Sequence, residues 1–261
     1  MNNIRFFDSH AHINLHHYDD DREAVLDKIF SSGVEKFVIP GVDIDTIKSA
    51  LVLAHQYPGK IYTGVGYHPT DSLKLDDDIY QTMKELAKDP AVVAIGEIGL
   101  DYHWDTSPKD VQHDVFIKQI NLAKELNLPV IIHTRDSHDD TLKLLKENNA
   151  DKTGGIFHCF SGDADFAKEC LEIDFYLSFA GNITFKNAQN LRDAAKITPL
   201  EKILIETDSP YLTPMPNRGK RNDCSYVKFV AQQIADVKNI SIEEVAEQTY
   251  NNAMTVFKIK S

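Results

Sequence analysis

The stretch Ile4–His12, IRFFDSHAH, decides how the rest of the chain is read. It begins as a β-type apolar run and ends in an aspartate and two histidines at alternating positions. In a strand, successive side chains point to opposite faces. Asp8, His10 and His12 are therefore expected on one face, and Phe7, Ser9 and Ala11 on the other. Two imidazoles on one face can reach a single metal ion. No glycine-rich phosphate loop follows the run, as it would in a doubly wound dinucleotide-binding sheet. Polar residues at the end of a strand, without that loop, suit a (β/α)8 barrel, whose active sites are built at the C-terminal ends of the strands.

Seven further β-type runs follow: KFVIPGV, IYTGVGYHP, AVVAIGEIGLD, PVIIHTRDS, GGIFHCFSG, FYLSFAGNI and KILIETDSPYL. They are rich in Val, Ile, Phe and Tyr, and turn residues bound most of them. Helical patterns lie between them. In DREAVLDKIFSSG, Val25, Leu26, Ile29 and Phe30 form a stripe at helical spacing with Gly33 as its stop. Phe116, Ile120 and Ala123 share a face of a second helix, and Ser241 with Glu244 predicts a capping box opening a C-terminal one. Eight strand–helix alternations in 261 residues predict an α/β fold, a TIM (β/α)8 barrel, as one domain over residues 1–261.

The apolar fraction of 42% is enough for a sizeable core, but no run of about eighteen apolar residues exists to cross a membrane. The N-terminus lacks a signal-peptide pattern. Cys159, Cys170 and Cys224 are few, odd in number and widely spaced, which fits a reducing, cytoplasmic setting, with each a small buried hydrophobe or an inert surface thiol. A net charge of −12 argues against a protein that coats nucleic acid, which leaves a basic footprint.

The strand ends carry the chemistry. They present His10 and His12, then His68, then Glu97 and Asp101, then His133, Arg135 and Asp136, then His158, then Glu206 and Asp208. Each alone has an ordinary reading, as a boundary histidine, a helix cap or the start of a turn. Together they place imidazole or carboxylate at the ends of six of eight strands. Charged groups are rarely buried unpaired, and a shared divalent metal answers that problem for all of them. The set suits Zn, Mn, Fe or Ni, and Mg alone less naturally. Four histidines and two carboxylates suffice for two ions roughly 3.5–4 Å apart, with Glu97 bridging. Asp208 would hold one ion and take the proton of the attacking water. Glu206 and Asp8 are read as outer groups that orient the ligands.

The motifs DSHAHINL, GEIGLDY, IIHTRD, FHCFSG and ETDSPYLTP, in this order, resemble those of the TatD family of metal-dependent deoxyribonucleases, within the amidohydrolase-like superfamily. The likeness runs from Phe7 to about Asn252. It implies a TIM barrel and a nuclease that needs divalent metal (Mg, Mn or Zn), in this family a 3′→5′ exonuclease on DNA. It maps the family's metal positions onto His10, His12, Glu97, His133, His158 and Asp208. Related amidohydrolases bridge their metals with a carboxylated lysine, where this chain offers Glu97.

Beyond the eighth strand lies PMPNRGKRN, with Arg218, Lys220 and Arg221 close together in an acidic chain. Arg218 matches the arginine of the family's P-x-P-x-R-G motif, and a guanidinium is well shaped for phosphate. Lys220 and Arg221 read equally as a solvated loop. His68 resembles the family's G-x-H-P histidine, a substrate or transition-state contact. Arg135 is expected either on substrate or paired with Asp136. Tyr102, His103 and Trp104 could stack on bases or simply pack their loop. His16, His17, His55, His113 and His138 read as helix or loop residues, and Asp19–Asp21 as a helix N-terminal cluster. The function expected is a metal-dependent phosphodiester hydrolase acting on single-stranded DNA or chain ends, with RNA as a further substrate, no membrane partner, and a monomer favoured. The alternative is an amidohydrolase or lactonase acting on small molecules in the same barrel. A metal-binding protein without catalysis is a third class, disfavoured by the presence of both Glu97 and Asp208.

Overall fold

Eight parallel strands pair in chain order: β1 (Phe6–Asp8), β2 (Val34–Pro40), β3 (Ile61–Val65), β4 (Val92–Asp101), β5 (Val130–Arg135), β6 (Gly155–Phe157), β7 (Tyr176–Phe179) and β8 (Ile203–Ile205). The computed structural model describes residues 4–104 and 106–260. The ends of the predicted 1–261 domain, residues 1–3 and 261, and residue 105 lie outside the described residues. Past the last ladder rungs, the first and last strands meet. Ser9 N–H donates to the Ile205 carbonyl at 3.1 Å, and Asp208 N–H to the His10 carbonyl at 3.0 Å. This is the expected TIM barrel.

Helices alternate with the strands: α1 (Arg22–Ser31), α2 (Ile44–Gln56), α3 (Asp77–Leu86), α4 (Lys109–Leu126), α5 (His138–Glu147), α6 (Ala164–Glu172), α7 (Gln189–Ile197), α8 (Val227–Lys238) and α9 (Ile242–Val256). On α1 the stripe buries Val25, Leu26 and Ile29, while Phe30 is half-buried against Phe37 and Tyr57. Phe116, Ile120 and Ala123 of α4 are fully buried. Ser241 caps α9 by accepting the Glu244 N–H at 3.1 Å. A reciprocal capping box forms instead on α2, between Asp43 and Thr46. No described helix is long and apolar enough to cross a membrane.

Phe7, Val38, Ile131, Ile156 and Leu204 come from five strands into one cluster, which only the inside of the barrel permits. Tyr250, Ala253, Val256 and Phe257 of the α9 region join it and close the floor, with the Phe7 and Phe257 rings stacked at 5.9 Å. The alternation expected for the first strand is therefore corrected. Phe7 points inward, and Asp8 turns away to Thr207, whose hydroxyl donates to it at 2.6 Å. His10 and His12 reach the mouth because the strand has already ended at Asp8.

β4 positions the central carboxylate. Between Ile95 and Ile98 it advances three residues while β5 advances two, from Val130 to Ile132. The extra residue makes a bulge, a device that re-aims a side chain next to a site. Glu97 N–H donates across to the Gly41 carbonyl at 2.8 Å, and the carboxylate is carried to the centre of the mouth.

Candidate metal centre

Glu97 stands between two sets of donors. Its Oε1 lies 2.8 Å from His158 Nε2, 2.9 Å from His133 Nδ1 and 3.5 Å from His68 Nε2. Its Oε2 lies 3.4 Å from His10 Nε2 and 3.8 Å from His12 Nε2. Asp208 Oδ1 completes that second set, 3.7 Å from His10 Nε2 and 3.6 Å from His12 Nε2. The six residues expected as ligands thus converge, although they come from β1, β4, β5, β6 and β8 or the turns just beyond them.

The donor set fits divalent metal. His10 Nε2 and His12 Nε2 face each other at 3.1 Å, where one proton at most can lie between them. Two imidazole lone pairs and carboxylate oxygens aimed at one point form a site for a cation. Among the described residues, no lysine or arginine lies within ion-pair distance of Glu97 or Asp208. Glu97 is only 4% exposed, so its charge needs a partner inside the barrel.

Electrostatics follow from this crowding. Burial pushes the Glu97 carboxyl up, but the His158 charge and hydrogen bonds from His10, His133 and His158 overcome it and hold the group well below its ordinary value. Burial opposes the charged form of His158 too, yet Glu97 and Glu206 raise that imidazole well above its usual range. His10 is lowered by burial and by the neighbouring His158. Asp208 resists the upward push of burial through its hydrogen bond with His12 and the charges of His10 and His158.

Outer groups fix the ring orientations. Glu206 Oε1 meets His158 Nδ1 at 3.3 Å and accepts the Cys159 N–H at 2.8 Å. Asp8 touches neither imidazole ring of its own segment. It accepts the N–H groups of His10 and Thr207, tying the β1 and β8 ends together. Burial raises the Asp8 carboxyl to about 7, against hydrogen bonds from Thr207 and others that pull it down. His68 Nδ1 accepts the Thr70 N–H at 3.3 Å, so in the neutral ring Nε2 carries the proton and faces Glu97 as a donor.

Asp101, a strand-end carboxylate to which the sequence assigns no role, supports His133. Its Oδ2 lies 2.9 Å from His133 Nε2, and its Oδ1 accepts the N–H groups of His103 and Trp104. The signal was present in GEIGLD, where Glu97 and Asp101 share the two-residue period. Cys159, expected only as an inert thiol, also lines the mouth, beside Asn182, which carries no sequence signal.

The centre opens into a cavity of about 960 Å³ lined by His12, His68, Glu97, Trp104, Arg135 and Asp208 among others. The cations of the basic loop after β8 part ways. Arg221 pairs with Asp21 at 2.6 Å and donates to the His17 carbonyl, so it braces the wall. Arg218 is exposed and lies over the Phe185 ring at 4.4 Å, outside the cavity lining. Arg135 is the lining arginine. Its guanidinium lies 5.7 Å from the Trp104 ring, and it is His103 that meets Asp136.

Comparisons with known proteins place the chain in a family. Residues 7–258 match the family model described as TatD related DNase. The metal-dependent hydrolase YabD of Bacillus subtilis, itself uncharacterized, is 49% identical over 97% of this chain and 99% of its own length. The similarly described YcfH of Escherichia coli K12 is 37% identical over 97% of this chain and 95% of its own. The crystal structure of YJJV, a TatD homolog from Escherichia coli K12, superposes with a TM-score of 0.92 at 30% identity, covering 98% of this chain and 99% of that one. With histidines and carboxylates able to hold metal gathered at the mouth of its barrel, this chain belongs to the TatD family of metal-dependent hydrolases.

Proposed function

We propose that this protein hydrolyses phosphodiester bonds in DNA, removing nucleotides from a strand end with two divalent ions in its site. The reading rests on the division of Glu97, with one oxygen toward His133 and His158 and the other toward His10, His12 and Asp208. One ion would be held by His10, His12, Glu97 and Asp208, and the other by Glu97, His133 and His158. Mg, Mn and Zn are the candidate metals. Ions bound there supply Lewis acidity, neutralising phosphate charge and acidifying water.

The chain's own residues do the rest. Both ligand carboxylates line the cavity, and the Asp208 side chain is the more open of the two, 15% exposed against 5% for Glu97. It accepts the proton of the attacking water. His68 offers its Nε2–H to a phosphate oxygen as negative charge develops there. Arg135, on the cavity lip, orients the anionic backbone, and Arg218 meets the strand farther out. A neutral amide or lactone needs neither cation, which favours the phosphodiester over the small-molecule alternative. A cavity of about 960 Å³, closed below by the barrel, suits a strand end. The 3′→5′ direction rests on the family resemblance, and single-stranded DNA is the proposed partner, with RNA as a further one.

The test uses metal-stripped protein and a 5′-labelled single strand, with Mg, Mn or Zn restored, beside Asp208→Asn. A metal-dependent ladder shortening from the 3′ end, absent in the variant, is expected. Intact DNA in protein shown to hold metal would overturn the reading and turn attention to RNA, amides and lactones.

A further inference from the structure

Six large apolar side chains are exposed among the described residues, and two of them, Trp104 at 53% and Tyr211 at 50%, line the metal cavity. Trp104 follows β4 and Tyr211 follows β8, half a turn apart around an eight-stranded barrel. Each is anchored to the centre by its backbone. Trp104 N–H donates at 3.1 Å to Asp101, the carboxylate that holds His133. Tyr211 N–H donates at 3.0 Å to the carbonyl of Asp208. Arg135, also in the cavity lining, lies 5.7 Å from the Trp104 ring, and the His17 ring meets Tyr211 edge-on at 5.9 Å.

Exposed aromatic rings in the wall of a cavity present open faces to whatever enters it. Here they flank the path to a carboxylate buried at the bottom of the cavity. A base at the end of a duplex cannot bring its phosphate to that depth without leaving the stack, which forfeits its stacking partners. Aromatic faces replace those partners whatever the base, since every base has a π-face. The arginine beside Trp104 adds a cation for the phosphate of the same nucleotide.

The geometry points to Trp104 and Tyr211 as two base-stacking jaws that receive the unpaired terminal nucleotides of a strand and hold them over the metal centre. This rests on the nuclease reading and adds the groups that bind the bases. Recognition is by stacking, so it is sequence-tolerant and requires bases without requiring particular ones.

Trp104 is the single tryptophan of the chain, so its fluorescence reports on one jaw directly. Asp208→Asn protein, carrying metal and slowed in turnover, is titrated with a short single-stranded oligothymidylate and with an abasic strand of the same length. Saturable quenching by the first is expected, with the abasic strand binding about tenfold more weakly. Tyr211→Ala should weaken oligothymidylate binding by about tenfold, and Tyr211→Phe should restore it. Unchanged tryptophan emission on binding, equal binding of the two strands, or no binding at all overturns the jaws. Cleavage by unaltered, metal-loaded protein is followed separately. Cleavage without quenching leaves the nuclease reading standing and removes the jaws, whereas quenching without cleavage does the reverse.

Discussion

Asp101 Oδ2 lies 2.9 Å from Nε2 of His133, and this contact decides which face His133 shows to the metal centre. With Nε2 held, Nδ1 is turned to Glu97 at 2.9 Å. Ligand histidines commonly have their second nitrogen fixed in this way, and losing the outer partner typically costs 10–100-fold in metal affinity or activity, by roughly that general measure. Asp101→Ala is therefore expected to weaken metal binding on the His133 side by about that factor. Metal titration by calorimetry checks it, and wild-type affinity in a folded variant would show that His133 needs no such support.

Glu97 and His12 predict different stoichiometries. Glu97 faces both donor sets, whereas the His12 ring nitrogen faces only the one with His10 and Asp208. Glu97→Ala should leave the protein with less than one ion retained, and His12→Ala with one of two, counted by elemental analysis after gel filtration. Equal retention in the two variants would remove the bridging role.

Metal uptake should release protons. Burial lowers the His158 imidazole, but the Glu97 charge and the Glu206 hydrogen bond outweigh it and raise the group well above its ordinary value. Without metal these neighbours favour the protonated ring, and a ligand nitrogen must give that proton up. Affinity is expected to rise with pH and fall in acid. A pH indicator in weak buffer, read while metal is added at pH 7, should show protons released. A silent indicator would mean the ring was already neutral.

Gly99 is a steric requirement of the site. Its φ is +147°, and an added Cβ would lie 2.0 Å from the His133 carbonyl oxygen. Gly99→Ala must push β5 outward where it carries His133. A loss of about 1–3 kcal/mol of stability is expected from denaturant unfolding. An unchanged midpoint would show that the strand end can yield.

The two arginines of the β8 loop should separate in kinetics. Arg221 is engaged by Asp21 and the His17 carbonyl, whereas Arg218 rests on Phe185 without an ion pair among the described residues. Arg218→Ala is expected to raise KM for a DNA strand several-fold, while Arg221→Ala loosens the wall and keeps kcat/KM. The opposite pattern would place the strand on the other side of the loop.

Much of this was legible because a parallel barrel repeats one arrangement eight times. Apolar residues fill the strand, and the chemistry comes at its C-terminal end. The motifs around His10, Glu97, His133, His158 and Asp208 could be ordered from sequence because each sits at such an end. Local detail was less legible. Strict alternation assigned Asp8 to the face of His10, but β1 stops at Asp8 and the chain turns before His10. The bulge that aims Glu97 is a mismatch between β4 and β5, and neither strand alone encodes it. Arg218 and Arg221 look alike in composition, and only the position of Asp21 across the barrel wall tells them apart.

The seam between β1 and β8 has a consequence for synthesis. His10 is made well before Asp208, yet the backbone bond between them closes the barrel. Contacts so distant in sequence form after local ones. A nascent or truncated chain that ends before β8 lacks both the closing strand and the carboxylate that faces His10 and His12. Metal binding by His10, His12 and Asp208 together therefore requires a chain grown past β8. A copy that stops short of β8 is left with an open barrel edge and an incomplete donor set.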